Sequence, residues 1–198
     1  MKMLMTIGVL GVLLVRSVAA LAASDASPAI VQPVLPADTQ CSLSAGSSVI
    51  DYGSQTRGQL QAAGNSQTLT LGKRMLILSI ACPYARNMWL TLRGNVAANG
   101  DLLYGARGSV RIRIMDVLID GHTVQLTSTT SSGVLEGGEA SDLRLQPQKG
   151  FAATQNGQLV KGKTFNARIE VEPVFPESAT RVSTLQRDEA SLTLELMK

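Results

Sequence analysis

The stretch FNARIEVEPVF, residues 165–175, alternates apolar and polar side chains along most of its length. A period of two places every second side chain on the same face of an extended strand. The apolar face contains Phe165, Ala167, Ile169 and Val171. The polar face contains Asn166, Arg168, Glu170 and Glu172. This pattern predicts a strand with one face in the core and the other in water.

Three further stretches indicate strands, and the segments between them carry turn signals. SVRIRIM, residues 109–115, and SLTLELM, residues 191–197, alternate in the same way. MLILSIAC, residues 75–82, is apolar on both faces, as a central strand would be. The turn signals are AANGD, IDGHT, SSG, EGGE and QNGQ. Short strands between Gly-rich turns, with no helical stripe of useful length, predict one all-β domain, a sandwich or a barrel.

The first 22 residues have the pattern of a secretory signal peptide. Lys2 precedes an apolar run, residues 4–15, and Ala20 and Ala22 supply small residues at the two positions that a signal peptidase checks. An uncleaved membrane anchor is the alternative, but Arg16 interrupts the run before the roughly 20 residues that span a bilayer. Two of the 18 Lys and Arg residues lie in this leader, which leaves 16 against 15 acidic residues in the mature chain. Such a balance gives no indication of nucleic-acid binding.

Both cysteines, Cys41 and Cys82, lie beyond the leader. In an oxidising compartment an even number of cysteines indicates a disulfide, and two buried free thiols are the alternative. A bond between them would tie the first strand of the domain to the end of MLILSIAC. Closing a loop of this length restricts the unfolded chain by roughly 4 kcal/mol in the chain-entropy model.

The sequence contains no recognisable catalytic or metal-binding pattern. Its one histidine, His122, lies in the predicted turn IDGHT, and no GxSxG motif accompanies it. One histidine and two distant cysteines cannot supply a four-ligand zinc site. Several loop carboxylates carry no spacing that selects a catalytic pair: Asp116, Asp120, Glu136, Glu139 and Asp142. We therefore expect a protein that is not an enzyme and needs no cofactor or metal, with an unrelated exported enzyme as a remaining alternative.

The ordered features from Cys41 onwards resemble the pilus subunits of the bacterial chaperone–usher pathway. The chain has CSLSAGSSVIDYG at residues 41–53 and a second cysteine, Cys82, at the end of an apolar strand. GSVRIRIMDVLIDGHTVQL at residues 108–126 is similar to the family's strand, turn and returning strand. FNARIEVEPVFPESATRVSTLQRDEASLTLEL at residues 165–196 is similar to its ending. The similarity covers most of residues 41–197.

The resemblance implies an incomplete immunoglobulin-like β-sandwich over residues 41–198, with six strands of its own and one missing. A periplasmic pilus chaperone fills the groove beside the last strand. At the outer-membrane usher, the N-terminal arm of another pilus subunit replaces the chaperone, which is recognition by strand addition. The groove and chaperone-binding residues implied here are Leu192, Leu194 and Leu196. The chain's own donor segment is the arm, residues 23–40, with Ala29, Ile30 and Val31 as its donor residues.

The function implied is that of a structural subunit of a surface fimbria, exported through the periplasm to the cell surface. Two departures from the family pattern predict a minor, tip or terminating subunit. Met197 occupies the place of the usual aromatic residue, and Pro28 and Pro33 interrupt an arm that normally alternates around a glycine. A single-domain tip adhesin that binds a host or surface ligand is the alternative, since a tip subunit needs no donor strand.

Overall fold

The computed structural model describes residues 40–197, except for the side chains of Asn65 and Ser66. The expected leader, residues 1–22, and the donor residues Ala29, Ile30 and Val31 lie outside the described residues. No helix in the described range is long and apolar enough to cross a membrane.

The described chain is all-β, as the alternation predicts. Hairpins and bulges divide it into fifteen strand segments, where the resemblance implies six strands. Its only helical elements are two 3-10 turns, Arg57–Gln59 and Glu177–Thr180. In chain order the strands are β1 (Ser42–Ala45), β2 (Gln61–Ala63), β3 (Asn65–Thr70), β4 (Arg74–Asn87), β5 (Trp89–Gly94), β6 (Leu102–Tyr104), β7 (Gly108–Ile119), β8 (His122–Thr123), β9 (Gln125–Thr129), β10 (Leu135–Ala140), β11 (Asp142–Leu145), β12 (Gly150–Gln155), β13 (Gln158–Leu159), β14 (Lys161–Pro176) and β15 (Leu192–Leu196).

The strands form two antiparallel sheets. Sheet A has the order β1-β4-β14-β7, with β6, β8 and β11 paired to β7. At the C-terminal end of β14 the neighbour is β3, and β2 pairs with β3. Sheet B has the order β10-β9-β12-β5-β15, with β13 paired to β12. Apolar residues from the inner faces of both sheets form one hydrophobic core.

Strand β14 is the centre of sheet A, and its two faces match the prediction. The side chains expected in the core are all buried: Phe165, Ala167, Ile169 and Val171. On the opposite face, polar side chains pair with neighbouring strands; Lys73 contacts Glu170 at 3.0 Å, for example. Apolar area removed from water stabilises the fold by about 25 cal/mol per Å². The alternation therefore determines which face of β14 packs into the core.

The prediction for MLILSIAC is only partly confirmed. The segment lies in β4, which is flanked by β1 and β14, and Leu78 and Ile80 on one face are buried. On the other face Met75 and Ile77 are exposed. The expectation of burial on both faces was therefore wrong, because sheet B covers only the inner face of sheet A and polar residues dominate the neighbouring outer surface.

A disulfide joins Cys41 to Cys82, as the sequence predicts, across a separation of 41 residues. It ties the residue before β1 to β4, its neighbour in sheet A. Because β1 is only four residues long and lies at the edge of the sheet, the covalent link compensates for a short hydrogen-bonded ladder.

Two predicted turns have the backbone that their residue types favour. Asp120 and Gly121 both have positive φ, 49° and 82°, as do Asn156 and Gly157 at 54° and 73°. Two consecutive residues with positive φ match the type I′ hairpin turn, for which Asp-Gly and Asn-Gly are the preferred pairs. The Asp120 carboxylate also accepts hydrogen bonds from the backbone N–H groups of Lys163 and Thr164.

Candidate interaction edge

The last strand, β15, places three apolar side chains on the inner face of sheet B without burying them. Leu194 and Leu196 lie opposite Leu92 and Leu90 of β5. The β5 leucines are 1% and 0% exposed, whereas Leu194 and Leu196 are only half-buried and Leu192 is 42% exposed. Side chains on one face of paired strands share the same environment unless one strand is at an open edge. The contrast marks β15 as an uncovered border of the core.

The backbone of β15 is paired on one side only within the described residues. The Met197 N–H donates to the Trp89 carbonyl oxygen at 2.9 Å, so it points towards β5. Backbone directions alternate along a strand, which directs the N–H groups of Leu192, Leu194 and Leu196 to the outer edge. Residues 40–197 provide no strand that pairs with this edge. Among the described residues it is therefore a row of unpaired donors and acceptors beside two half-buried leucines and one exposed leucine.

The segment that follows β1, residues 46–56, is a second border without strand pairing. It contains no strand, yet Ile50 packs against the core. The Tyr52 hydroxyl donates to the Val171 carbonyl oxygen of β14 at 3.1 Å. Burial raises the pKa of Tyr52 to about 12, although Arg74, 5.5 Å from its ring centre, acts to lower it. The segment is thus fixed to sheet A by side chains rather than by a backbone ladder.

At one end, Arg86 contacts the residue before β1 and the residue after β15. Its Nη1 is 3.8 Å from the Cys41 sulfur, and its Nη2 donates to the Met197 carbonyl oxygen. The Nε of Arg86 is buried and has no hydrogen-bond partner among the described residues. The beginning of β1 and the end of β15 are therefore neighbours, and one guanidinium group contacts both.

At the other end, Tyr104 lies close to both borders. Burial raises the pKa of its hydroxyl, and the nearby carboxylates of Asp188 and Asp51 raise it further. The next residue, Gly105, donates its N–H to the Glu189 carbonyl oxygen at 3.0 Å. Tyr104 is therefore near Asp51 and near the residues that precede β15. We call the unpaired outer side of β15 the open edge.

The structure brings together the predicted groove residues and places the other candidate residues that it describes apart from one another. Leu192, Leu194 and Leu196 share one face of β15. His122 is exposed at the start of β8, just after the predicted turn. Of the five candidate carboxylates, only Asp120 lies in a turn; the others lie in β7, β10 and β11. Their contacts are separate: Asp116 with Arg168, Asp120 with the backbone of residues 163–164, Glu139 with the Gly157 N–H and Asp142 with Arg113, while Glu136 is exposed. Among the described residues, no three His, Cys, Asp or Glu side chains form a group that could hold a metal.

Sequence reasoning missed the two residues that mark the ends of the open edge. Arg86 and Tyr104 stand in segments without a motif, and each acquires its role only through contacts with residues distant along the chain. Ile50 lies in the stretch CSLSAGSSVIDYG, residues 41–53. Nothing in that stretch indicates that Ile50 packs against the core rather than lying exposed in a loop. No family model matches the chain, and no curated protein matches it.

Proposed function

We propose that this chain is a structural subunit of a bacterial surface fibre, assembled by strand addition at the open edge. The observation that carries the proposal is the half-buried leucine row of β15 beside an unpaired backbone. A strand inserted between β15 and residues 46–56 would bond to the outward N–H and C=O groups. Its alternate side chains would cover Leu192, Leu194 and Leu196.

Strand order supports an immunoglobulin-like sandwich with one strand missing. In chain order, the six principal strands are β1, β4, β5, β7, β14 and β15. If they are named A to F, sheet A has the order A-B-E-D and sheet B has C beside F. The immunoglobulin fold has an ABED sheet and a CFG sheet. The position of strand G, on the far side of β15, is the position that no described strand occupies.

The resemblance to pilus subunits supplies the proposed partners, and the unpaired edge of β15 is compatible with them. A periplasmic chaperone would hold the open edge after export, and another pilus subunit would replace it at an outer-membrane usher. The leader, residues 1–22, would direct export, and residues 23–40 would serve as an arm with Ala29, Ile30 and Val31 at its centre. Proline residues at 28 and 33 would make that arm a poor donor, which favours a tip, minor or terminating position.

A fused donor strand tests the proposal. A Gly-rich linker and a designed strand with apolar residues at alternate positions are added after Lys198. We expect the free energy of unfolding to rise by roughly 2–4 kcal/mol, because two or three half-exposed apolar side chains become buried. The measurement is chemical denaturation of the fused and unfused chains.

The matched control carries the same linker and strand with proline at the central position, which removes a ladder donor. It should give little stabilisation. The contrary outcome is an unfused chain that is well dispersed and has the same free energy of unfolding as both fused chains. That outcome would show that the edge does not accept a strand.

A further inference from the structure

The outer face of sheet A carries a polar groove of about 610 Å³ that the fibre function does not use. Its floor consists of outward side chains of β7, β11 and β14, and the turn between β2 and β3 forms one wall. The wall residues are small: Ala62, Ala63 and Gly64. A space of this size is within the range of small-ligand sites.

The cations of the groove are exposed, and most of their acidic partners are recessed. The side chains of Lys73, Arg111, Arg113 and Arg144 are 38–56% exposed. Glu170 and Glu172 are 21% and 13% exposed. A ligand entering the groove therefore meets ammonium and guanidinium groups before it meets these two carboxylates.

Two arginines are held side by side at this floor. Arg144 of β11 lies directly opposite Arg113 of β7 in the sheet register. Like charges in this position repel each other, so each guanidinium needs an acidic neighbour. Arg144 forms a bidentate pair with the fully buried carboxylate of Asp101, and Arg113 contacts Asp142 at 2.8 Å. These contacts fix both cations in place before any ligand arrives.

Of these cations, Arg111 has the longest contact with an acidic partner. Its nearest carboxylate oxygen, on Glu172, lies 3.6 Å away, which is beyond a good hydrogen bond. Its planar guanidinium can therefore donate two parallel hydrogen bonds to a carboxylate or sulfate group. The recessed carboxylates of Glu170 and Glu172 can accept hydrogen bonds from hydroxyl groups of the same ligand.

We propose that this groove binds a short acidic oligosaccharide, with its carboxylate or sulfate groups on Arg111 and Arg113 and its hydroxyls on Glu170 and Glu172. A hydroxyl-rich anion fits better than an acidic peptide, because the groove offers few apolar contacts. Its lining has two large apolar side chains, Met115 and Ile112, and Ile112 points into the core. Peptide recognition usually needs apolar anchor pockets. The inference does not rest on the proposed fibre function, because the groove belongs to sheet A and the leucine row to sheet B.

The test is titration calorimetry on the exported chain carrying the fused donor strand, or on the unfused chain if that is dispersed. The probes are a sulfated tetrasaccharide, an unsulfated uronic-acid tetrasaccharide, a neutral tetrasaccharide and a poly-glutamate peptide of equal charge. We expect one or both acidic tetrasaccharides to bind. The difference between their affinities shows whether the groove recognises sulfate or carboxylate groups. No binding of either acidic sugar, or equal binding of the neutral sugar or the peptide, would overturn the proposal.

Three variants locate the site. The double variant Arg111→Gln/Arg113→Gln should weaken binding by at least about tenfold. Ala62→Trp leaves every charge unchanged but fills the groove from its exposed wall, and should also abolish binding. Arg168→Gln is the matched control, because Arg168 lies on the same face, is 58% exposed and is outside the groove. An equal loss in Arg168→Gln, or unchanged binding in Ala62→Trp, would contradict the assignment.

Discussion

Replacing Leu194 by Asp should lower the capture of this chain by the proposed periplasmic chaperone on the order of 100-fold. Leu194 faces the core side of β15, opposite the fully buried Leu92. A strand added at the open edge would enclose the new carboxylate among apolar side chains. An unpaired carboxylate in such a site costs several kcal/mol unless it is neutralised, and about 2.7 kcal/mol corresponds to a factor of 100. The readout is the amount of the chain that co-purifies with the co-expressed chaperone.

Thr193→Asp is the control for this experiment. Thr193 is on the same strand, but it is exposed on the opposite face and lies across from Arg93. A carboxylate there gains a cationic neighbour and stays in water, so capture should be unchanged. Equal capture of both variants at the unmodified level would mean that the leucine row is not the surface to which the chaperone binds.

Removing the disulfide should have the second large effect. In the chain with the fused donor, Cys41→Ala/Cys82→Ala should lower the free energy of unfolding by roughly 4 kcal/mol, because the loop of 41 residues is no longer closed in the unfolded chain. Chemical denaturation of the oxidised and double-variant chains gives this difference. Reducing the unmodified chain should produce a loss of similar size.

Ser42→Ala is the matched control for the disulfide. Ser42 is exposed, is adjacent to Cys41 and makes one long hydrogen bond of 3.4 Å to the Ala81 carbonyl oxygen. Its replacement should change stability by no more than about 0.5 kcal/mol. A double cysteine variant that loses less than about 1 kcal/mol would contradict the expectation that the disulfide stabilises the fold by restricting the unfolded chain.

The parts of the fold that depend on local pattern were predictable from the sequence. The alternation in residues 165–175 identified the buried face of β14 because a strand's side-chain period is fixed by backbone geometry. The Asp-Gly and Asn-Gly turns at residues 120–121 and 156–157 were predictable because few other pairs adopt consecutive positive φ angles. The cysteine pair followed from the number of cysteines and an expected oxidising compartment.

The parts that depend on pairing between distant segments were not predictable in the same way. MLILSIAC has apolar residues on both faces, and only the arrangement of the sheets shows that Ile77 lies on a solvent face. Arg86 lies at the open edge because the start of β1 and the end of β15 are near each other, and Arg113 faces Arg144 because of the register between β7 and β11. Neither arrangement has a local signature.

Residue-resolved amide hydrogen exchange along β15 tests the central claim most directly. The claim is that the outer edge of β15 is open in the chain alone and is closed by an added strand. The Glu195 N–H points towards β5, as inferred from the Met197 contact with Trp89, whereas those of Leu194 and Leu196 point outwards. In the chain without a donor, we predict slow exchange at Glu195 and fast exchange at Leu194 and Leu196. With the fused donor, all three should be slow; equal protection at all three in the chain without a donor would contradict the account.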